Sequence, residues 1–237
     1  MGGGEGIPGR TGNYGNDSLL DSRFEGLQIA GMIKAIIFDI GNVLLKFDYQ
    51  IAFKAIAAYT GEISPALISL LEPLNRDFEA GAINRGEFVR RVGEAIEFGG
   101  TEPEFVAAWE AIFVENKPMK ELVGQLRERY PLYLLSNIGE IHHEYIFRTF
   151  PVFESFADGV FSYLAGCLKP DPEIYEIAAR QFGVEPGETL FMDDMPANVE
   201  GARRAGFQAV LYDANAHEEF LKELARLGVV EAAVPAA

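Results

Sequence analysis

Apolar residues in this chain follow two rhythms. From Ile33 onward, five short runs are almost continuously apolar, and each ends in polar or turn residues: Ile33–Ile40, Tyr130–Asn137, Gly159–Leu164, Thr189–Asp194 and Gln208–Asp213. Runs this short and dense suit strands buried on both faces, as in parallel sheets. Helical spacing takes over in Lys117–Arg129, Asp171–Phe182, Pro196–Ala205 and His217–Leu227. Asp171 is a predicted N-cap with Pro172 in the first helical position, and Gly183 is the stop. Strands alternating with helices of about ten residues predict βαβ units. The expected fold is α/β, a doubly wound, Rossmann-like parallel sheet.

One interval breaks the alternation. Leu44 to Arg129 separates the first two strands, and its first part reads as four helices: Tyr49–Tyr59, Pro65–Asp77, Arg85–Glu97 and Glu102–Val114. A parallel crossover needs only one helix. Residues 48–116 are therefore predicted to form an inserted helical cap domain on a core made of residues 32–47 and 117–237. The aromatics Phe53, Phe78, Phe88, Phe98, Phe105, Trp109 and Phe113 are expected to form its core. Residues 1–31 hold nine of the 25 glycines and no periodicity. They lack the basic start and apolar centre of a secretory signal and read as a disordered leader or a non-native extension, with Met32 a natural start.

Composition narrows the function. With 237 residues, 49% of them hydrophobic and 24% charged, the chain has globular composition and is long enough for a sizeable core. A net charge of −16 argues against nucleic acid and against an anionic membrane surface. The lone cysteine, Cys167, excludes an internal disulfide and a zinc cluster. It is expected to be a small buried hydrophobe in a cytoplasmic protein.

Ligands of open parallel sheets bind beyond the carboxyl ends of the strands. The first strand there offers Asp39, Gly41 and Asn42, the second Ser136 and Asn137, and the fourth Asp193 and Asp194 with Asn198 just beyond. Lys169 follows the third. Three carboxylates at close range repel unless a cation holds them, and all-oxygen ligands select a hard ion such as Mg²⁺. Such an ion beside a lysine and a hydroxyl suits a phosphoryl group, and an aspartate can attack phosphorus to form an aspartyl-phosphate.

Four ordered stretches, IIFDIGNVL at Asp39, LLSN at Ser136, LKPDPEIY at Lys169 and FMDDMPANVEGARRAGF at Asp194, resemble the haloacid dehalogenase-like hydrolase superfamily over Ile33 to about Leu227. The insert occupies the place of that family's type-one helical cap, and FEAGAINRGEF (Phe78–Phe88) resembles a cap segment. The resemblance implies Asp39 as nucleophile and metal ligand, with the Gly41 carbonyl and Asp194 as further ligands. Asp193 and Asn198 would stand behind the ion. Ser136, with Asn42 and Asn137, would hold the phosphoryl group, and Lys169 would orient Asp39. It implies a Mg²⁺-dependent phosphatase acting on a small phosphorylated metabolite.

One departure stands out. The family's phosphatases usually carry a second aspartate two residues after the nucleophile, as general acid and base, and here that position is Gly41. The DIGNV stretch resembles a variant branch lacking it, which includes bacterial sugar-phosphate (glucose 1-phosphate) phosphatases. Asp48 is one candidate substitute, and it is equally a candidate helix cap. Two alternatives share the fold. One is a metal-free haloacid dehalogenase, which the Asp193–Asp194 pair disfavours. The other is a binding protein that has lost catalysis. His142 and His143 do not share a helix face and are expected at the surface or as caps, and His217 at the surface. Arg76 and Asp77 are read as solvated helix charges with substrate contact as the alternative.

Overall fold

A computed structural model of the protein describes Met1, residues 32–60 and residues 65–231. Apart from Met1, the glycine-rich opening segment lies outside the described residues. In chain order the elements are β1 (Ala35–Phe38), β2 (Leu45–Phe47), α1 (Tyr49–Thr60), α2 (Pro65–Glu79), α3 (Arg85–Ala95), α4 (Glu102–Glu110), β3 (Phe113–Glu115), α5 (Lys117–Leu126), β4 (Leu132–Ser136), α6 (Glu140–Thr149), β5 (Asp158–Phe161), α7 (Ser162–Ala165), α8 (Pro172–Phe182), β6 (Thr189–Asp193), α9 (Pro196–Arg204), β7 (Gln208–Leu211) and α10 (His217–Arg226).

Five strands form one parallel sheet in the order β5-β4-β1-β6-β7. The chain starts at the centre, works outward to β5 and returns to the other side of β1. The direction of winding reverses beside β1, and a crevice opens there at the carboxyl ends. Alternation within β1 sorts the two faces. Ile36 and Phe38 pack with Leu122 of α5, Ile146 of α6 and Leu224 of α10, whereas Ile37 packs with Ile174 of α8 and Val199 of α9. Helices cover both faces, which is why the strands read as near-continuous apolar runs.

Two predicted boundaries move. The run Gly159–Leu164 is strand only as far as Phe161, because β5 is an edge strand and its ladder ends where Phe161 meets Ser136, the last residue of β4. Beyond it the chain turns into α7, with Leu164 exposed. The helix expected over Glu102–Val114 stops at Glu110, and Phe113–Glu115 pairs antiparallel with β2, Leu45 opposite Glu115 and Phe47 opposite Phe113. Those apolar residues serve a two-stranded ribbon through which the chain enters and leaves the helical insert.

Helices α1–α4 form that insert and gather their own core around Ile56, Phe78, Phe88, Phe105 and Trp109. Phe78 and Phe88 stack at 4.3 Å. Ile141 of α6 joins the same cluster, so the insert is seated on the first turn of α6. Gly139 makes the approach possible: a Cβ there would lie 2.4 Å from the Phe78 ring.

His142 departs from expectation. It is buried, its ring lies parallel to Trp109 at 5.8 Å, and its Nε2–H donates to the Trp109 carbonyl at 2.9 Å. The insert covers what would otherwise be an exposed helix start. His143 is half-buried beside Phe161, with Nδ1 3.0 Å from the Tyr163 hydroxyl. His217 is half-buried against Tyr212 and Phe220. Cys167 is half-buried against the cluster formed by α8 and α9. Asp171 precedes α8 as predicted, with no side-chain capping bond. Among the described residues no helix is long and apolar enough to cross a membrane.

Candidate active site

Asp39, Ser136 and Asp193 sit at the carboxyl ends of β1, β4 and β6, and β1 lies between the other two. The sheet alone therefore brings them together. Lys169 arrives from the loop between α7 and α8. Asn137 holds that loop from both sides: the Lys169 backbone N–H donates to Asn137 Oδ1 at 2.8 Å, and Asn137 Nδ2 donates to the Lys169 carbonyl at 2.9 Å.

The buried Lys169 ammonium has three protons, and it makes three hydrogen bonds. They run to Asp39 Oδ1 at 2.7 Å, Asp193 Oδ2 at 2.6 Å and the Leu135 carbonyl at 2.8 Å. Asp193 is paired on both oxygens. Oδ1 accepts from the Met195 backbone N–H at 2.8 Å and from Asn198 Nδ2 at 3.0 Å, and Oδ2 accepts from Asn198 as well as from Lys169. Asp194 accepts from Asn42 Nδ2 at 3.0 Å. Asn42 reaches it from a left-handed backbone conformation, φ 53°, which asparagine tolerates better than most residues.

One carboxylate oxygen from each of Asp39, Asp193 and Asp194 lies within 4.8 Å of the others. One ammonium against three carboxylates leaves two negative charges uncompensated when all are ionised. The titration tendencies reflect that crowding. Burial raises Asp39 to about 6, opposed by Lys169 and reinforced by Asp193. Burial also raises Asp194, opposed by the Asn42 hydrogen bond. For Lys169 burial pulls downward, but the two carboxylates outweigh it and its pKa ends above the ordinary value. The donor set is all oxygen and short of positive charge, which fits a hard divalent cation.

Gly41 lies beside the Asp39 carboxylate of this cluster. A Cβ there would stand 3.7 Å from Asp39 Oδ2 and 3.0 Å from a carbon of the Phe47 ring. The ring of Phe47, carried on the ribbon, thus crowds the place where a side chain at position 41 would begin. Asp48 does not join the cluster. It is exposed, and its Oδ1 accepts from the Gln50 backbone N–H at 2.8 Å at the start of α1, the bond of a turn or cap. Asp77 is exposed, and its backbone carbonyl accepts from Ala82.

There are two adjoining spaces, the first between core and insert and the second lined by the insert alone. A narrow one of about 60 Å³ lies between Gly41, Ser136, Asn137 and Ile138 of the core and Phe47, Tyr49 and Glu79 on the insert side. A wider chamber of about 480 Å³ is lined by Gln50, Phe53, Asn75, Arg76 and Trp109, and shares Tyr49 and Glu79 with the first. The buried Trp109 indole N–H has no hydrogen-bond partner among the described residues. Sequence reasoning named Arg76 here and placed Trp109 among the core aromatics of the insert, one or two of them expected to face the cleft, but missed Tyr49 and Glu79. The signal available for Glu79 was its place inside FEAG, next to a phenylalanine with a core periodicity.

Residues 33–206 match the family model for haloacid dehalogenase-like hydrolases. This chain belongs to that family. Within the haloacid dehalogenase-like hydrolases it is 30% identical to the D-ribitol-5-phosphate phosphatase of Bacteroides thetaiotaomicron over 189 residues, 75% of this chain and 90% of that protein. A crystal structure of a family enzyme from the same organism, in complex with magnesium and inorganic phosphate, superimposes with a TM-score of 0.71 at 27% identity, covering 78% of this chain and 98% of that one. A family hydrolase from Porphyromonas gingivalis superimposes with a TM-score of 0.70 at 27% identity, covering 83% of this chain and 99% of that one.

Proposed function

We propose that this hydrolase is a Mg²⁺-dependent phosphatase that cleaves a small phosphate monoester, a sugar or polyol phosphate by preference, through an aspartyl-phosphate on Asp39. The observation that carries the reading is the convergence of Asp39, Asp193 and Asp194 around a lysine whose three protons are all engaged.

Asp39, Asp194 and the Gly41 carbonyl would hold the ion, with Asp193 and Asn198 behind them. When bound, it supplies positive charge to the phosphoryl oxygens. The chain's own residues do the rest. Lys169 fixes the Asp39 carboxylate by Oδ1 and leaves Oδ2, on the Gly41 side, for attack on phosphorus. Ser136 and Asn137, which line the narrow space, hold the phosphoryl oxygens. The insert excludes bulk water while the aspartyl-phosphate forms. A chamber of about 480 Å³ mixing aromatic, amide and charged side chains suits a small hydroxylated ester, in keeping with the polyol phosphate named for the Bacteroides relative.

The test is a panel of phosphate monoesters assayed with Mg²⁺ and with EDTA. Turnover that requires Mg²⁺ is the expected result. Chloride release from a 2-haloacid without metal, and no phosphate release from any ester, would reverse it.

A further inference from the structure

The phosphatase reading leaves one chemical role without an owner. An alkoxide leaving group needs a proton, and the water that cleaves the aspartyl-phosphate must lose one. Position 41 carries no side chain, and Phe47 crowds the space one would need. Asp48 is exposed and engaged with the Gln50 backbone.

We infer that Glu79, at the end of α2, is the general acid and base of this hydrolase, acting from the insert in place of an aspartate at position 41. Three observations carry this. Its residue lines the narrow space together with Gly41, Ser136 and Asn137, where the phosphoryl group and its leaving oxygen must sit. Its main chain is pinned to the core: the buried Ser162 hydroxyl donates to the Glu79 carbonyl and accepts from the backbone N–H of Ile138, another residue of that wall. Its carboxyl accepts from Asn75 Nδ2 at 2.9 Å, which leaves the other oxygen for substrate.

The remaining titratable residues of the narrow space are poorly suited. His142 already gives its Nε2 proton to the Trp109 carbonyl and is pulled down to about 4 by burial. Tyr49 is pushed well above its ordinary value by burial and by Glu79 itself. Asp39 is the nucleophile, and Glu72 and Arg76 stand on the outer chamber. Burial, opposed by the Asn75 bond and reinforced by Asp39, raises Glu79 to about 7, where a carboxyl gives and takes protons readily at neutral pH.

The step balances. Asp39 Oδ2 bonds to phosphorus, the phosphorus–oxygen bond to the leaving group breaks, and the departing oxygen keeps that electron pair and takes the Glu79 proton. The Glu79 carboxylate then takes a proton from water as its oxygen attacks phosphorus. The bond to Asp39 breaks, phosphate is released, and both carboxyls return to their starting states.

The inference rests on the phosphatase reading, and the experiment separates the two. Full-length wild-type and Glu79→Gln proteins are compared with Mg²⁺ on the best alkyl phosphate of the panel and on 2,4-dinitrophenyl phosphate, whose leaving group needs no proton. For Glu79→Gln the alkyl ester should lose about 10²- to 10⁴-fold in kcat, the usual worth of a general acid. The aryl ester should give a burst of one dinitrophenolate per enzyme at close to the wild-type rate, followed by slow turnover. Mass spectrometry should find the phosphorylated enzyme accumulating. Retention of both activities within about threefold overturns the assignment and leaves the phosphatase reading intact. Equal loss on both esters with no phosphoenzyme also overturns it, because that pattern belongs to a positioning or structural role. A wild-type protein without Mg²⁺-dependent turnover of any ester removes the reading and the inference together.

Discussion

The two walls of the active crevice are built on opposite plans. On the core side every proton of Lys169 and both oxygens of Asp193 are committed, and the loop bearing Lys169 is clamped by Asn137. On the insert side the Trp109 indole N–H has no partner among the described residues, the Glu79 carboxyl is met only by Asn75 among the hydrogen bonds described, Tyr49 and Glu79 line both spaces, and Arg76 is exposed. The lysine and Asp193 at the centre of the core wall form a network fixed before anything binds, as preorganised electrostatics requires, and beside it Asp39, held by Oδ1, and Asp194, held by Asn42, keep acceptor capacity to spare. The insert wall keeps spare donors and acceptors. The lesson is a division of labour: a charge network held rigid before binding faces a polar lining with a donor and an acceptor to spare.

That contrast breaks most sharply at Asp39, the proposed nucleophile. Asp39→Asn is expected to lower kcat on phosphate esters by at least about 10⁴-fold while the fold persists. Steady-state assays with circular dichroism check both halves. Next comes Lys169→Ala, which leaves two buried carboxylates unpaired. Its kcat/KM should fall about 10²- to 10³-fold, and a loss smaller than tenfold would detach Lys169 from the chemistry. In EDTA its unfolding free energy, from urea titration, should drop by about 3–5 kcal/mol, the usual cost of breaking a buried pair.

The seam between the walls has a pH signature. Burial holds His142 near 4, below the 6.5 of an accessible histidine. The unfolded chain therefore takes up a proton that the folded one refuses. His142 adds stability that is whole above pH 6.5, declines as pH falls toward 4 and is gone below it. The decline amounts to about 3 kcal/mol. Asp39 and Glu79, both raised by burial, titrate in the same window with the opposite sign in both proteins, so the slope is expected in the difference between urea titrations of wild type and His142→Phe across pH 7.5 to 4.5. The smallest effect is expected at Trp109. Trp109→Phe removes a donor that has no partner among the described residues, so stability should change by less than about 1 kcal/mol beyond the lost ring area. A rise in KM at constant kcat would show that the spare N–H meets substrate.

The core wall was legible in the sequence because it sits on the most regular part of the fold. Strand-end residues such as Asp39, Ser136 and Asp193 follow from apolar runs and the carboxyl-end rule, and Lys169 from the turn before a well-marked helix. The insert wall was not. Tyr49, Glu79 and Trp109 lie on amphipathic helices whose periodicity separates buried from exposed but not a core from a ligand chamber. His142 was misread for a related reason: the surface that covers it comes from residues more than thirty positions away, through a glycine whose importance appears only when Phe78 is seen against it. The ribbon of β2 and β3 escaped because three-residue strands carry too little alternation to stand out.

That ribbon has a consequence beyond its pairing. It sets the two ends of the insert side by side, with Leu45 across from Glu115. Ends of an antiparallel pair lie only about 5 Å apart. A module spliced between such neighbouring ends leaves the central sheet's connectivity as it was. Another helical unit grafted onto the same stem would leave the carboxylates and dipoles beneath undisturbed.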